Sequence, residues 1–250
     1  MIDLHSHILP GIDDGAADLE VSLEMARRFE SQGIVCVACT PHILPGVYHN
    51  TGPQIRSAVA DLQDHLSEAG VGLQLVPGAD NHIVPDFVDG LRRGHLLSLG
   101  DSRYVLVEPP HHIAPPRMNE LFFNILVSGY VPILTHPERL SWIEDHYDQV
   151  LDLAHRGVWI QVTSGALLGR FGRRAKYWAD KMLAEGLVHI LASDAHGIDR
   201  RPPDLAEGYL AAERHVGREE AHHLVVERPA GVILDQAPAD LPPALDVALR

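Results

Sequence analysis

Short apolar runs rich in Val, Ile and Leu alternate along the chain with stretches in which apolar residues recur every three or four positions. The first pattern predicts buried parallel strands and the second predicts amphipathic helices. Strands are expected over about 2–7, 34–39, 73–77, 104–108, 131–135, 158–162 and 188–193. Helices are expected over about 18–32, 53–69, 84–93, 117–129, 144–156, 171–185 and 203–215, with a last one near 218–226. The first helix sets Leu19, Leu23, Met25, Ala26 and Phe29 along one side, and Gly33 ends it. Regular strand–helix alternation of this kind predicts an α/β fold closed into a barrel rather than an open sheet. No domain boundary interrupts it: residues 1–250 read as one domain, with an irregular Ala/Pro-rich tail from about Asp235 and room there for a short final helix.

Against that apolar background, the carboxyl ends of the strands are conspicuously polar. The first strand carries His5 and His7, and residues two apart on a strand face the same way. Two imidazoles on one spot form a chelate for a divalent transition metal. The loop after it holds Asp13 and Asp14. The following strands end in Thr40-Pro41-His42, Gly78-Ala79-Asp80, Val107-Glu108, Thr135-His136 and Ser193-Asp194-Ala195-His196. Taken singly, each has a plainer explanation: a helix N-terminal charge for Glu108, a turn former for Asp80, a satisfied polar residue for His42. Six strand ends repeating the same chemistry, at the end where barrel enzymes keep their active sites, point jointly to a metal centre.

Composition narrows the options. The chain has 250 residues, 46% of them hydrophobic, enough for a sizeable core. No apolar run approaches the ~20 residues of a membrane helix, and no basic leader precedes the first strand. Cytoplasmic residence without membrane insertion is therefore expected. Net charge is −14, from 34 acidic and 20 basic residues. That disfavours general binding to nucleic acid, which needs basic surface. The two cysteines, Cys36 and Cys39, lie inside an apolar strand and read as buried thiols. His42 and Pro45 stand where a cysteine-based phosphatase loop would need arginine.

His5-x-His7, Leu9 through Gly15, Thr40-Pro41-His42, Thr135 through Arg139 and Ala192 through His196 resemble the polymerase-and-histidinol-phosphatase (PHP) superfamily. The His5–Gly15 block together with Gln161–Gly172 resembles one branch in particular, the bacterial manganese-dependent tyrosine-protein phosphatases of capsular and exopolysaccharide operons. The likeness runs from residue 1 to about 232. It implies a distorted seven-stranded (β/α)7 barrel of TIM-like metal-dependent hydrolases holding three divalent ions, Mn2+ ahead of Fe or Zn. By the same resemblance, one ion takes His5, His7 and Asp194, with Asp80 bridging. A second takes Asp80, Glu108 and His136, and a third takes Asp14, His42 and His196. One position departs: the family usually places Glu where this chain has Asp80. The side chain is one methylene shorter, with roughly 1.3 Å less reach. Either the bridge persists with a small backbone shift or the site is weakened, and His82 is a possible contributor. The segment Pro109-Pro110-His111-His112 also differs from the usual pattern, its histidines expected at the surface or lining the substrate entrance.

Three such ions against four carboxylates would leave the site about two charges positive, which favours a phosphate dianion despite the acidic exterior. The expected chemistry is in-line hydrolysis of phosphotyrosine by a metal-bound hydroxide, with Arg139 and Arg201 gripping phosphate oxygens. The implied partner is a phosphotyrosine protein, a bacterial tyrosine autokinase of polysaccharide export, and an oligomer is compatible. The nearest alternative is histidinol phosphatase or another small phosphomonoesterase. An amidohydrolase would call for a bridging lysine where Glu108 stands, and a turnover-free scaffold rests on the Asp80 departure alone.

Overall fold

Alternation along the strands decides which side chains face the barrel axis. The computed structural model describes residues 1–244. In chain order its elements begin with β1 (Ile2–Ser6), α1 (Leu19–Ser31), β2 (Cys36–Cys39), β3 (His42–Leu44), β4 (Tyr48–His49) and α2 (Gly52–Glu68). There follow β5 (Gln74–Pro77), β6 (Asp80–His82), α3 (Phe87–Arg92), β7 (Tyr104–Glu108), α4 (Met118–Val127), β8 (Val131–Thr135) and α5 (Ile143–His155). Last come β9 (Trp159–Thr163), α6 (Ser164–Leu167), α7 (Gly172–Ala184), β10 (Ile190–Ala192), α8 (Leu205–Val216), α9 (Arg218–His222) and α10 (Arg228–Ile233). On β7, Tyr104 and Leu106 join Leu4, Val76, Ile133, Trp159 and Ile190 in an inner cluster. Val105 and Val107 join Leu134, Ile160, Val162 and Leu191 in the outer layer beneath the helices. Glu108, two residues beyond Leu106, therefore faces the axis at the carboxyl end.

The expected seven strands are all present, but two of them break. The second runs as β2, stops at Thr40-Pro41 and resumes as β3; the third runs as β5, stops at Gly78-Ala79 and resumes as β6. Pro41 has no N–H to continue a ladder. A Cβ on Gly78 would lie 2.9 Å from a Leu99 methyl and 3.1 Å from the Thr40 methyl, so any larger residue would push those side chains out of the crossing. The lower halves form a three-stranded sheet, β1-β2-β5. The upper halves join a seven-stranded sheet in the order β10-β9-β8-β7-β6-β3-β4. This shift is what distorts the barrel. The two sheets meet again at the carboxyl end, where Asp194 N donates to His5 O and His7 N to Ala195 O, both at 2.9 Å.

β1 contains a second irregularity. Its register against β2 slips between Asp3 and Ser6. Leu4 belongs to the inner cluster, yet His5 also faces the axis, on Gln161. An extra residue of this kind re-aims the side chains that follow it. Asp3, fully buried, accepts the N–H groups of His5 and Ser193, each at 3.2 Å, and so ties the slipped segment to β10.

The foot of the barrel is sealed by a segment the apolar pattern did not resolve. After α9 a π turn leads into α10, whose Val232 packs with Leu241 into the inner cluster. The chain from Asp235 to Ala244 is irregular apart from one short 3-10 turn at Pro238–Asp240; the end of the tail, where a final helix had room, lies outside the described residues. α1 ends as expected, with Gly33 at φ +75°. Cys36 faces the barrel interior and Cys39 the outer layer, both as free thiols, so they are not a redox pair. Among the described residues no helix is long and apolar enough to cross a membrane.

Candidate metal centre

The strand ends converge on one bowl at the barrel mouth. All nine residues expected to ligate metal line it: His5, His7, Asp14, His42, Asp80, Glu108, His136, Asp194 and His196. Their ligand atoms interleave closely. His5 Nε2 stands 3.3 Å from Asp194 Oδ1 and 3.5 Å from Asp80 Oδ2, and His7 Nε2 stands 3.3 Å from Asp194 Oδ1. His42 and His196 each place Nε2 3.5 Å from Asp14 Oδ1. His42 Nδ1 lies 3.2 Å from Glu108 Oε2. Ligand atoms about 2.1 Å from one ion lie about 3.0–3.4 Å from each other in octahedral or tetrahedral geometry. The spacings in the bowl, 3.2–3.5 Å, lie within that range or about 0.1 Å above it.

The polar atoms themselves argue for cations. Asp80 Oδ1 and Oδ2, Asp194 Oδ1, His136 Nδ1 and His196 Nε2 are buried and have no hydrogen-bond partner. A buried unpaired polar group costs about 1–3 kcal/mol, more if charged. Burial pushes His5 down to about 3 and His196 to about 4, and holds His136 well below the usual histidine range, so their imidazoles are neutral and hold lone pairs for a metal. Burial and the adjacent Glu108 push the Asp80 carboxyl well above its usual range. Burial also opposes charge on His42, but Glu108, Asp80 and Asp14 outweigh it and hold its pKa up near about 10.

Outer partners fix the ring orientations. His7 Nδ1 donates to Asp13 Oδ2 at 2.7 Å and His5 Nδ1 donates to Gln161 Oε1 at 2.9 Å, leaving both Nε2 atoms facing the centre. Asp13 also takes the N–H groups of His42 and Gly15. These supports were missed from sequence, although Asp13 sits beside Asp14 and Gln161 begins the Gln161–Gly172 block. His136, Asp194 and Arg201 all have positive φ, +35°, +52° and +52°, backbone strain of the kind that collects at functional sites.

Arg139 and Arg201 both reach Asp194 Oδ2. Arg139 is stacked over Phe171 at 4.4 Å. Arg201 Nε is buried with no partner. A cavity of about 380 Å³ opens above the bowl, with Glu108 and His136 on its floor, Arg139 and Arg201 on one wall, and Leu44, Pro110 and Ile113 at the rim. His82 and His111 also line it. His82 Nδ1 donates to Glu108 Oε2 at 2.9 Å, and half-buried His111, at the entrance rather than the surface of its two expected places, lies 3.2 Å from Oε1, while His112 is exposed.

The family model for capsular polysaccharide synthesis, CpsB/CapC, matches residues 1–234. The chain belongs to that family. The tyrosine-protein phosphatase YwqE of Bacillus subtilis is 36% identical over 219 residues, 88% of this chain and 86% of that protein. The tyrosine-protein phosphatase CpsB of Streptococcus pneumoniae is 29% identical over 241 residues, covering 94% and 99%. A solved structure from work on those two proteins, unique metal-dependent tyrosine phosphatases, superposes with a TM-score of 0.91 at 34% identity, covering 95% of this chain and 96% of that one. An organophosphorus hydrolase from Deinococcus radiodurans shares the fold alone, with a TM-score of 0.56 at 16% identity, covering 93% of this chain and 92% of that one.

Proposed function

We propose that this protein is a metal-dependent protein-tyrosine phosphatase. The observation that supports it most is the bowl of buried, unpartnered carboxylate and imidazole atoms with two arginines on its wall, in a chain whose relatives are tyrosine-protein phosphatases. His5, His7, Asp14, His42, Asp80, Glu108, His136, Asp194 and His196 would hold three divalent ions, with Mn2+ the favoured metal. Bound there, such ions supply Lewis acidity to water and to the phosphate. No thiolate is among the donors, which suits Mn or Fe better than structural zinc.

The chain's own groups do the rest. Arg139, seated over the Phe171 ring, and Arg201, with its free Nε, donate to the phosphate oxygens and offset the charge that grows on them. Leu44, Pro110 and Ile113 at the rim suit an aromatic ring carried by the phosphate. That apolar rim favours phosphotyrosine over histidinol phosphate, whose carbon frame is cationic. The substrate is then a phosphotyrosine protein, and a cytoplasmic tyrosine autokinase of polysaccharide export is the partner proposed. The test is phosphate release from a phosphotyrosine peptide and from histidinol phosphate, using metal-stripped protein with and without Mn2+. Release that needs Mn2+ and prefers the peptide is expected. Preference for histidinol phosphate keeps the chemistry and overturns the substrate; no release from either, with metal bound, overturns both.

A further inference from the structure

We infer that His111 is a direct ligand of the ion held by Glu108 and His136, beyond the ligands that the family resemblance assigns to that ion. The inference rests on the metal-centre proposal above and goes beyond it, because the family resemblance assigns that ion Asp80, Glu108 and His136. The groupings of ligand atoms within 4.8 Å of one another are different. Asp80 falls with His5 and His7, and with His42 and Glu108; His136 falls with His5 and Asp194, and with Glu108 and His111. His136 Nε2 is 3.9 Å from Asp80 Oδ2, whereas His111 Nε2 is 3.2 Å from the same Glu108 oxygen that His136 Nε2 approaches at 3.7 Å. The His111 and His136 rings are 5.1 Å apart. Two imidazole nitrogens and a carboxylate oxygen thus stand close enough together that they would hold one divalent ion between them.

The segment is built to hold that ring still. Pro109 and Pro110 fix two φ angles. Pro110 O accepts Trp142 Nε1–H at 2.9 Å, and His111 O accepts both Ser141 N–H, at 2.9 Å, and the Ser141 hydroxyl, at 3.0 Å. Ser141 and Trp142 follow directly on the turn that carries His136 and Arg139, so ligand and partner move as one unit. His82 supplies the contrast. It bonds the other oxygen of Glu108, already shared with His42, and joins none of the ligand groupings. His82 is a hydrogen-bond donor to the carboxylate; His111 completes the coordination.

The two roles separate experimentally. Metal-stripped wild type, His111→Ala, His82→Ala, His136→Ala and the double variant His111→Ala/Asp80→Glu are titrated with Mn2+ by calorimetry. The same proteins are loaded with Co2+ and their hyperfine-shifted imidazole ring protons recorded by NMR. His111→Ala should weaken one ion by about tenfold or more and remove one ring's shifted signals. His82→Ala should remove none, and Asp80→Glu should restore affinity in the His111→Ala background. Retention of every shifted ring in His111→Ala, with wild-type affinity, overturns the inference while His136→Ala still tests the centre itself. If wild type takes up neither ion, the metal-centre proposal falls and this inference falls with it.

Discussion

The lower and upper halves of the barrel are built from the same strands by the same alternation, yet they treat polar groups in opposite ways. Below, Leu4, Leu106, Ile133, Trp159 and Ile190 interlock with Val232 and Leu241, and the polar groups at the edge are satisfied. Tyr104 donates its hydroxyl to Gln236 O at 2.9 Å. Arg228, fully buried, is paired with both oxygens of Glu220 at 2.7 and 3.0 Å. One layer up, Glu108, Thr135 and Gln161 replace Leu106, Ile133 and Trp159, and Asp80 and Asp194 keep oxygens with no partner. The foot is finished by its own contacts, whereas the mouth keeps unpaired oxygens and nitrogens in groups that could hold a metal ion.

Breaking each half should therefore give separable losses. His136→Ala or Asp194→Ala should reduce turnover about a thousandfold or more, roughly 4 kcal/mol. The melting temperature of metal-stripped His136→Ala should stay the same or rise, since a buried unpaired group has gone, whereas that of Asp194→Ala should fall, because Arg139 and Arg201 lose their shared carboxylate. Full activity in His136→Ala, measured as phosphotyrosine hydrolysis with saturating Mn2+, would contradict the site. Leu106→Ala, one layer below Glu108, should do the reverse. A fully packed leucine cut to alanine costs about 3 kcal/mol through lost burial and the cavity left behind. Denaturant unfolding should report that loss while turnover per folded molecule stays near wild type. A variant that unfolds no more easily but loses activity would show that the two halves are not independent.

How much of this was legible in the sequence follows the same division. The outer layer and the strand ends were readable, because period two and a terminal His, Asp or Glu are local signals; all nine predicted ligand positions reach one bowl. What escaped depends on contacts across the chain. The crossing at Gly78 against Thr40 and Leu99 splits two strands and starts β3 and β6 at His42 and Asp80, so these ligands begin strands instead of ending them. The slip in β1 that lets Leu4 and His5 share a face is set by Asp3 bonding Ser193, 190 residues away. The α10 seal is short and follows a π turn, so no long apolar stripe announces it. His111 was expected at the surface or the entrance; two prolines and Trp142 fold it back onto Glu108.

Arg139 tests where the mouth passes from metal binding to substrate binding. Arg139→Ala removes charge-assisted hydrogen bonds that are worth about 2 kcal/mol, or roughly thirtyfold in kcat/KM. Mn2+ affinity should be almost unchanged, because Asp194 keeps Arg201 beside it. A large loss of metal affinity, read by calorimetry, would instead make Arg139 a support for Asp194.

The smallest effect belongs to the foot, and it is a pH effect. His189 lies flat on Trp159 at 5.1 Å, and its Nδ1 accepts the Ile160 N–H at 3.2 Å. Burial first, and then the Arg228 charge, push its pKa from 6.5 down to about 3. The folded protein therefore holds His189 neutral, while the unfolded chain takes up a proton below pH 6.5. Its stabilising contribution is complete above 6.5 and is lost as pH falls from there toward about 3. The slope is at most about 1.4 kcal/mol per pH unit, less because solvent reaches the edge of the half-buried ring. His189→Gln, which keeps an acceptor and cannot titrate, should flatten the dependence of unfolding free energy between about pH 6.5 and 5.5 relative to wild type. Metal-stripped protein is the right material, since ligand histidines at the mouth then titrate alike in both variants. Parallel pH profiles would show that His189 gives up its bond to Ile160 at no cost, and that the foot is less sealed than its packing indicates.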